Sequence, residues 1–63
     1  MVDAIIKAIA ALQAAEKQFT FYAEHHLAKG DRGKAATNYG YATMCGHAME
    51  HLKLVQNEST DAG

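Results

Sequence analysis

Apolar residues recur every three or four positions on both sides of a single break, and the chain holds no proline to interrupt either run. Val2, Ile5, Ile9, Leu12, Phe19 and Ala23 form the first stripe. Asn38, Tyr41, Cys45, Ala48, Leu52 and Val55 form the second. Such spacing puts each set on one face of an α-helix, and no segment alternates with the two-residue period of a strand. Between the stripes stands Gly30-Asp31-Arg32-Gly33. Glycine takes the left-handed conformation that ends a helix, and an aspartate accepts from the free N–H groups that start the next. The pattern predicts a first helix over about 4–29, with Asp3 capping its start and Lys29 in its last turn, where the dipole favours a cation. It predicts a second helix over about 32–57, ended by Asn57, and a polar tail over 58–63. A connection this short makes the two helices antiparallel neighbours.

The two stripes test each other. Facing residues of an antiparallel hairpin keep a constant sum of residue numbers. Pairing 26 with 38, 23 with 41, 19 with 45, 16 with 48, 12 with 52 and 9 with 55 gives 64 each time. The expected fold is therefore all-α, one hairpin over 1–57. Its layers run from Ile9 with Val55 and Leu12 with Leu52, through Phe19 with Cys45, to His26 with Asn38 beside the bend. Gly40 and Gly46 stand inside the second helix at a cost of about 1 kcal/mol each against alanine, and either mark points where a helix or a ligand approaches closely or are simply tolerated.

A chain of 63 residues forms one domain and buries only about 60% of its unfolded surface, so it needs a staple. Its single cysteine, Cys45, excludes an intrachain disulfide and suits a reducing compartment. Self-association is the remaining staple once metal is weighed. A homo-oligomeric bundle, dimer to hexamer, is expected. The formal charge of −1 does not mark a DNA-binding protein. Asp3, Lys7 and Glu16 keep the N-terminal run short of the roughly 18 apolar residues of a membrane span. Asp3 also argues against a signal peptide, so the expected location is cytoplasmic.

Glu24, His25 and His26 on one helix, and His47, Glu50 and His51 on the other, raise the question of metal. His47 and His51 share a face and are spaced to chelate. The Glu-x-x-His signature of di-iron bundles fails, because Leu27 follows Glu24 and Lys53 follows Glu50 at that spacing. A hydrogen bond from His51 to Glu16 is the simpler expectation, and neither a metal nor a cofactor is expected. A bare hairpin has no water-excluding pocket for catalysis, so the chain does not read as an enzyme.

The bend is the candidate site. Lys29, Arg32 and Lys34 stand there against Asp31 alone, beside a helix start that favours phosphate. Tyr22, His26 and Lys29 recur at i, i+4 and i+7, as do Lys34, Asn38 and Tyr41. The cations suit phosphates, the tyrosine rings suit stacked bases, and His26 and Asn38 suit polar edges. The plainer alternative is that the cations are solvated and the tyrosines are core.

Tyr22, His26 and Lys29, then a short polar turn, then Lys34-Ala35-Ala36-Thr37-Asn38, resemble phage anti-CBASS sponges, small helical-hairpin proteins that sequester cyclic oligonucleotides. The resemblance spans about a third of the chain. It implies an oligomer of hairpins holding a cyclic di- or trinucleotide between subunits without cleaving it, so that a bacterial immune effector is deprived of its signal. For a phage-encoded chain the location would be the host cytoplasm. In overall shape the chain is also similar to Rop-like hairpins, which bind paired RNA loops, though Lys7, Lys17 and Lys29 make a thin basic face. A structural or protein-interaction hairpin, acting through its apolar face, is the rival reading.

Overall fold

The structure, a computed structural model, describes residues 2–62, with side chains over 3–58. Helix α1 spans Val2–Ala28 and helix α2 spans Arg32–Ala62. They pack along their length into an antiparallel hairpin of 51 × 14 × 10 Å.

Three residues make the bend, and two capping motifs share them. Gly30 has φ +83°, the left-handed region that a side chain would strain. Its N–H donates to the Leu27 carbonyl at 3.0 Å, and the Asp31 N–H donates to the His26 carbonyl at 2.9 Å. This pair of bonds is the Schellman motif, which satisfies the last carbonyls of α1. Asp31 then caps α2. Its Oδ1 accepts from the Lys34 N–H at 3.1 Å, and its carbonyl accepts the first helical bond, from the Ala35 N–H, at 3.1 Å. The expected roles of Gly30 and Asp31 are thus observed. Two others differ. Asp3 lies inside the first turn of α1, where it complements the dipole without capping, and Lys29 lies beyond the last turn, in the bend. The expected stop at Asn57 is also absent, since α2 continues to Ala62. No proline or glycine stands between Gly46 and Gly63 to break it.

The inward face of α1 is the one expected, with Ile9, Leu12, Glu16, Phe19, Ala23 and His26 buried or half-buried. The inward face of α2 is rotated. Ala35, Asn38, Ala42, Cys45, Met49, Leu52 and Gln56 turn toward α1, whereas Tyr41 and Val55 are 48% and 46% exposed. The register shifts with it. The Phe19 and Tyr41 rings meet with centroids 5.2 Å apart, and the Glu16 carboxylate lies over Gly46, 3.0 Å from where a Cβ would stand. These pairs of residue numbers add to 60 and 62, not 64. The merged caps shorten the turn, and the small Ala23, Ala35 and Ala42 let the helices approach closely just below it.

Gly46 is therefore a point of close approach and Gly40 is not, because a Cβ at Gly40 would meet nothing within 4 Å. Threonines inside the helices are satisfied locally: Thr20, Thr37 and Thr43 each donate to the carbonyl four residues back.

Among the described residues the core consists of Ala23, Ala35, Ala42 and Met49, and no large side chain is fully buried. The chain exposes 4727 Å². A compact monomer of 6.8 kDa exposes about 4,000 Å². The excess, roughly 700 Å², goes with the elongated shape of a hairpin only two helices thick.

Candidate ligand-binding site

Seven residues were expected to converge at the bend, and the fold sorts them into three groups. The seam runs through Phe19, Ala23 and His26 on α1 and through Asn38, Ala42 and Cys45 on α2. A helix turns 100° per residue. Tyr22 immediately precedes Ala23, Tyr41 precedes Ala42, and Lys34 precedes Ala35. In an antiparallel pair these positions fall on one side of the hairpin, because reversing the chain also reverses its sense of turning seen from one end. The ring contact between Tyr41 and Phe19 agrees with this placement. Tyr22, Lys34 and Tyr41 therefore share one flank, and the exposed Lys29 stands at its upper end in the bend.

Arg32 is two residues before Lys34 and so points to the opposite flank. His26 and Asn38 are half-buried in the seam. Asn38 is also engaged, since its Nδ2 donates to the Lys34 carbonyl at 2.8 Å. The expected i, i+4, i+7 face of Tyr22, His26 and Lys29 breaks at Lys29, which lies outside the helix.

The rings of the shared flank are braced. Tyr22 accepts a hydrogen bond from Gln18 Nε2 at 3.3 Å and meets Phe21 edge-on at 5.9 Å. Tyr41 leans on Phe19. Gln18 escaped the sequence reading, which also sets Phe19 in the core against Cys45 and not as a brace for Tyr41. The i, i+4 spacing of Gln18 to Tyr22 could have marked Gln18, whereas Phe19 meets Tyr41 only in the observed register.

The electrostatics differ from expectation at the start of α2. The Asp31 carboxylate takes the place an anion would occupy there, with Oδ1 on the Lys34 N–H and Oδ2 3.9 Å from Lys34 Nζ. The cationic groups left free to face solvent at this side of the bend are the side chains of Lys29 and Lys34. Both Lys34 and Asp31 are well exposed, 70% and 42% by side chain, so their ion pair holds Lys34 only loosely.

The histidines do not assemble. His25 and His26 meet edge-on at 5.7 Å, and His47 and His51 are exposed. The expected bond from His51 to Glu16 is not made: the carboxylate lies over Gly46 instead. The earlier position of Gly46 in the register puts a glycine, not Ala48, beside Glu16. Among the described residues no three His, Cys, Asp or Glu side chains group as metal ligands. Cys45 is free and half-buried. No helix of the described residues is long and apolar enough to cross a membrane. At the open end, Ile6, Ile9, Lys53, Gln56 and Asn57 line a shallow groove of about 420 Å³. Comparison with protein-family models, curated proteins and solved structures finds no match for the chain.

Proposed function

We propose that this hairpin is a non-enzymatic binding protein that works as a homo-oligomer and sequesters a cyclic oligonucleotide, held between subunits beside the bend. The observation that carries the reading is the shared flank. Tyr22 and Tyr41 present braced, half-exposed rings to stacked bases, and Lys29 and Lys34 stand at the same end for phosphates. His26 and Asn38 order the seam beneath, and Arg32 reaches a ligand only from the opposite flank or from another subunit. The sponge-like pattern across the bend supports the same ligand class. Calorimetry with a panel of cyclic di- and trinucleotides tests it. Binding tighter than about 10 μM is expected for a sequestering protein, and its absence across the panel would sink the reading.

A protein-interaction hairpin is the second reading. It is favoured by Phe21 and Met44, which are 66% and 65% exposed on outward positions. Lys34→Glu separates the two: it abolishes function for a phosphate binder and spares it for a protein-interaction hairpin, at unchanged oligomer size.

A further inference from the structure

We infer that His25 is a ligand-binding residue, which completes with Lys29 and Lys34 a three-point cradle for a phosphate at the bend end of the tyrosine flank. The inference rests on the proposed ligand class for what carries the phosphate, and on the hairpin alone for the three side chains. By sequence, His25 is no different from the other exposed histidines, His47 and His51. The packed pair of helices sets it apart. His25 immediately precedes His26, which lies in the seam, so it falls on the flank that carries Tyr22, Lys34 and Tyr41. It is exposed there, and the His26 ring braces it edge-on at 5.7 Å, as Gln18 braces Tyr22.

The cradle draws on both helices and the bend. Lys29 follows His25 by four residues, one turn further up. Its N–H donates to the His26 carbonyl at 3.1 Å, which keeps it against the end of α1, above His25. Across the seam, His26 and Ala35 add to 61, between the 60 of Phe19 with Tyr41 and the 62 of Glu16 with Gly46. His25 and Lys34 each precede one member of that pair, so they stand level on the same flank. Tyr22 lies one turn below, three residues before His25. The helix carboxylates point elsewhere. Glu24 follows Ala23 and Glu50 follows Met49, which puts both on the opposite flank, and Glu16 lies in the seam. The carboxylate that faces the cradle is Asp31, 3.9 Å from Lys34 Nζ in an exposed ion pair. The groups around His25 are therefore Tyr22, His26 and Lys29 from α1, Lys34 from α2 and Asp31 from the bend. Lys29 and Lys34 are charged throughout the range in which a histidine takes up its proton, about pH 8 to pH 5. An anion seated among the three favours the charged ring, so anion binding and proton uptake are linked, and binding strengthens as pH falls.

Inorganic sulfate is the probe, because its charge stays constant over this range. In NMR of the histidine ring signals, sulfate set against chloride at equal ionic strength should move His25 saturably. His51 is the control in the same spectrum. It precedes Leu52 and so shares the flank, but it lies 17 residues from Lys34 along α2, about 25 Å toward the open end. Sulfate should bind the wild type about two- to fivefold more tightly at about pH 6 than at about pH 8. His25→Gln should abolish that difference and keep the weaker binding. Lys34→Gln should weaken binding at both pH values and keep the difference. The inference is overturned if His25 moves no more than His51, or if the pH dependence survives in His25→Gln. The two proposals fail separately. A sulfate response at His25 without any binding of cyclic oligonucleotides sinks the ligand reading and leaves the cradle standing, whereas nucleotide binding with an unmoved His25 does the reverse.

Discussion

Gly30→Ala probes the bend with the fewest confounding terms. At φ +83° an L side chain carries a strain of roughly 1–2 kcal/mol. Steric collision adds nothing, because a Cβ there would meet no atom within 4 Å. Alanine also restricts the unfolded chain, which returns about 0.4–1 kcal/mol. The net expectation is a loss of about 1 kcal/mol. For a domain of this size that lowers Tm by about 4–8 °C. Gly40→Ala is the matched control. It makes the same chemical change inside α2, again with nothing within 4 Å, and should gain about 0.8–1 kcal/mol from helix propensity. The two variants should therefore melt roughly 10 °C apart, on opposite sides of the wild type. The assay is thermal unfolding followed by far-ultraviolet circular dichroism. All three proteins must be at one concentration, since association makes Tm concentration-dependent. A Gly30→Ala protein that melts at or above the wild type would refute the claim that the left-handed residue closes the hairpin.

Three further outcomes follow from the same contacts. Gly46→Ala should be neutral to mildly stabilising in the same melts. The helix gains up to about 1 kcal/mol, and only the flexible end of Glu16, 3.0 Å from the new Cβ, has to move; a loss above 1 kcal/mol would mean that Glu16 is held rigidly. Asp31→Ala should lose about 1 kcal/mol in denaturant titration through the missing cap on the Lys34 N–H. Under the ligand reading the same variant should bind cyclic oligonucleotide more tightly by calorimetry, because the carboxylate no longer occupies the helix start; weaker binding would place the phosphates elsewhere. Phe19→Ala should cost about 2 kcal/mol, below the usual range for a fully buried ring because Phe19 is half-buried, and should release Tyr41, read as a changed Tyr41 ring signal in NMR while Tyr22 stays put.

Two helices, their antiparallel order and the chemistry of the turn were legible in the chain, because each rests on local interactions. The 3–4 spacing needs only one helix to express it. A glycine at the end of a helix and an aspartate at the start of the next act on backbone groups a few residues away, and Gly30 and Asp31 do so here. The rotation of α2 is not local. Tyr41 and Ala42, Ala48 and Met49 offer adjacent candidates for each inward position, and the choice between neighbours turns the helix by 100°. Two things decided it. The caps merged into a three-residue bend, which moved the register, and the seam near the bend is filled by the buried Ala23, Ala35 and Ala42, with the Tyr41 ring left outside it. That rotation carried Tyr41 out of the seam and set it on the same flank as Tyr22 and Lys34, while the bend left Arg32 on the other side. Which side chains can share a surface is a property of the packed pair, and neither stripe contains it alone.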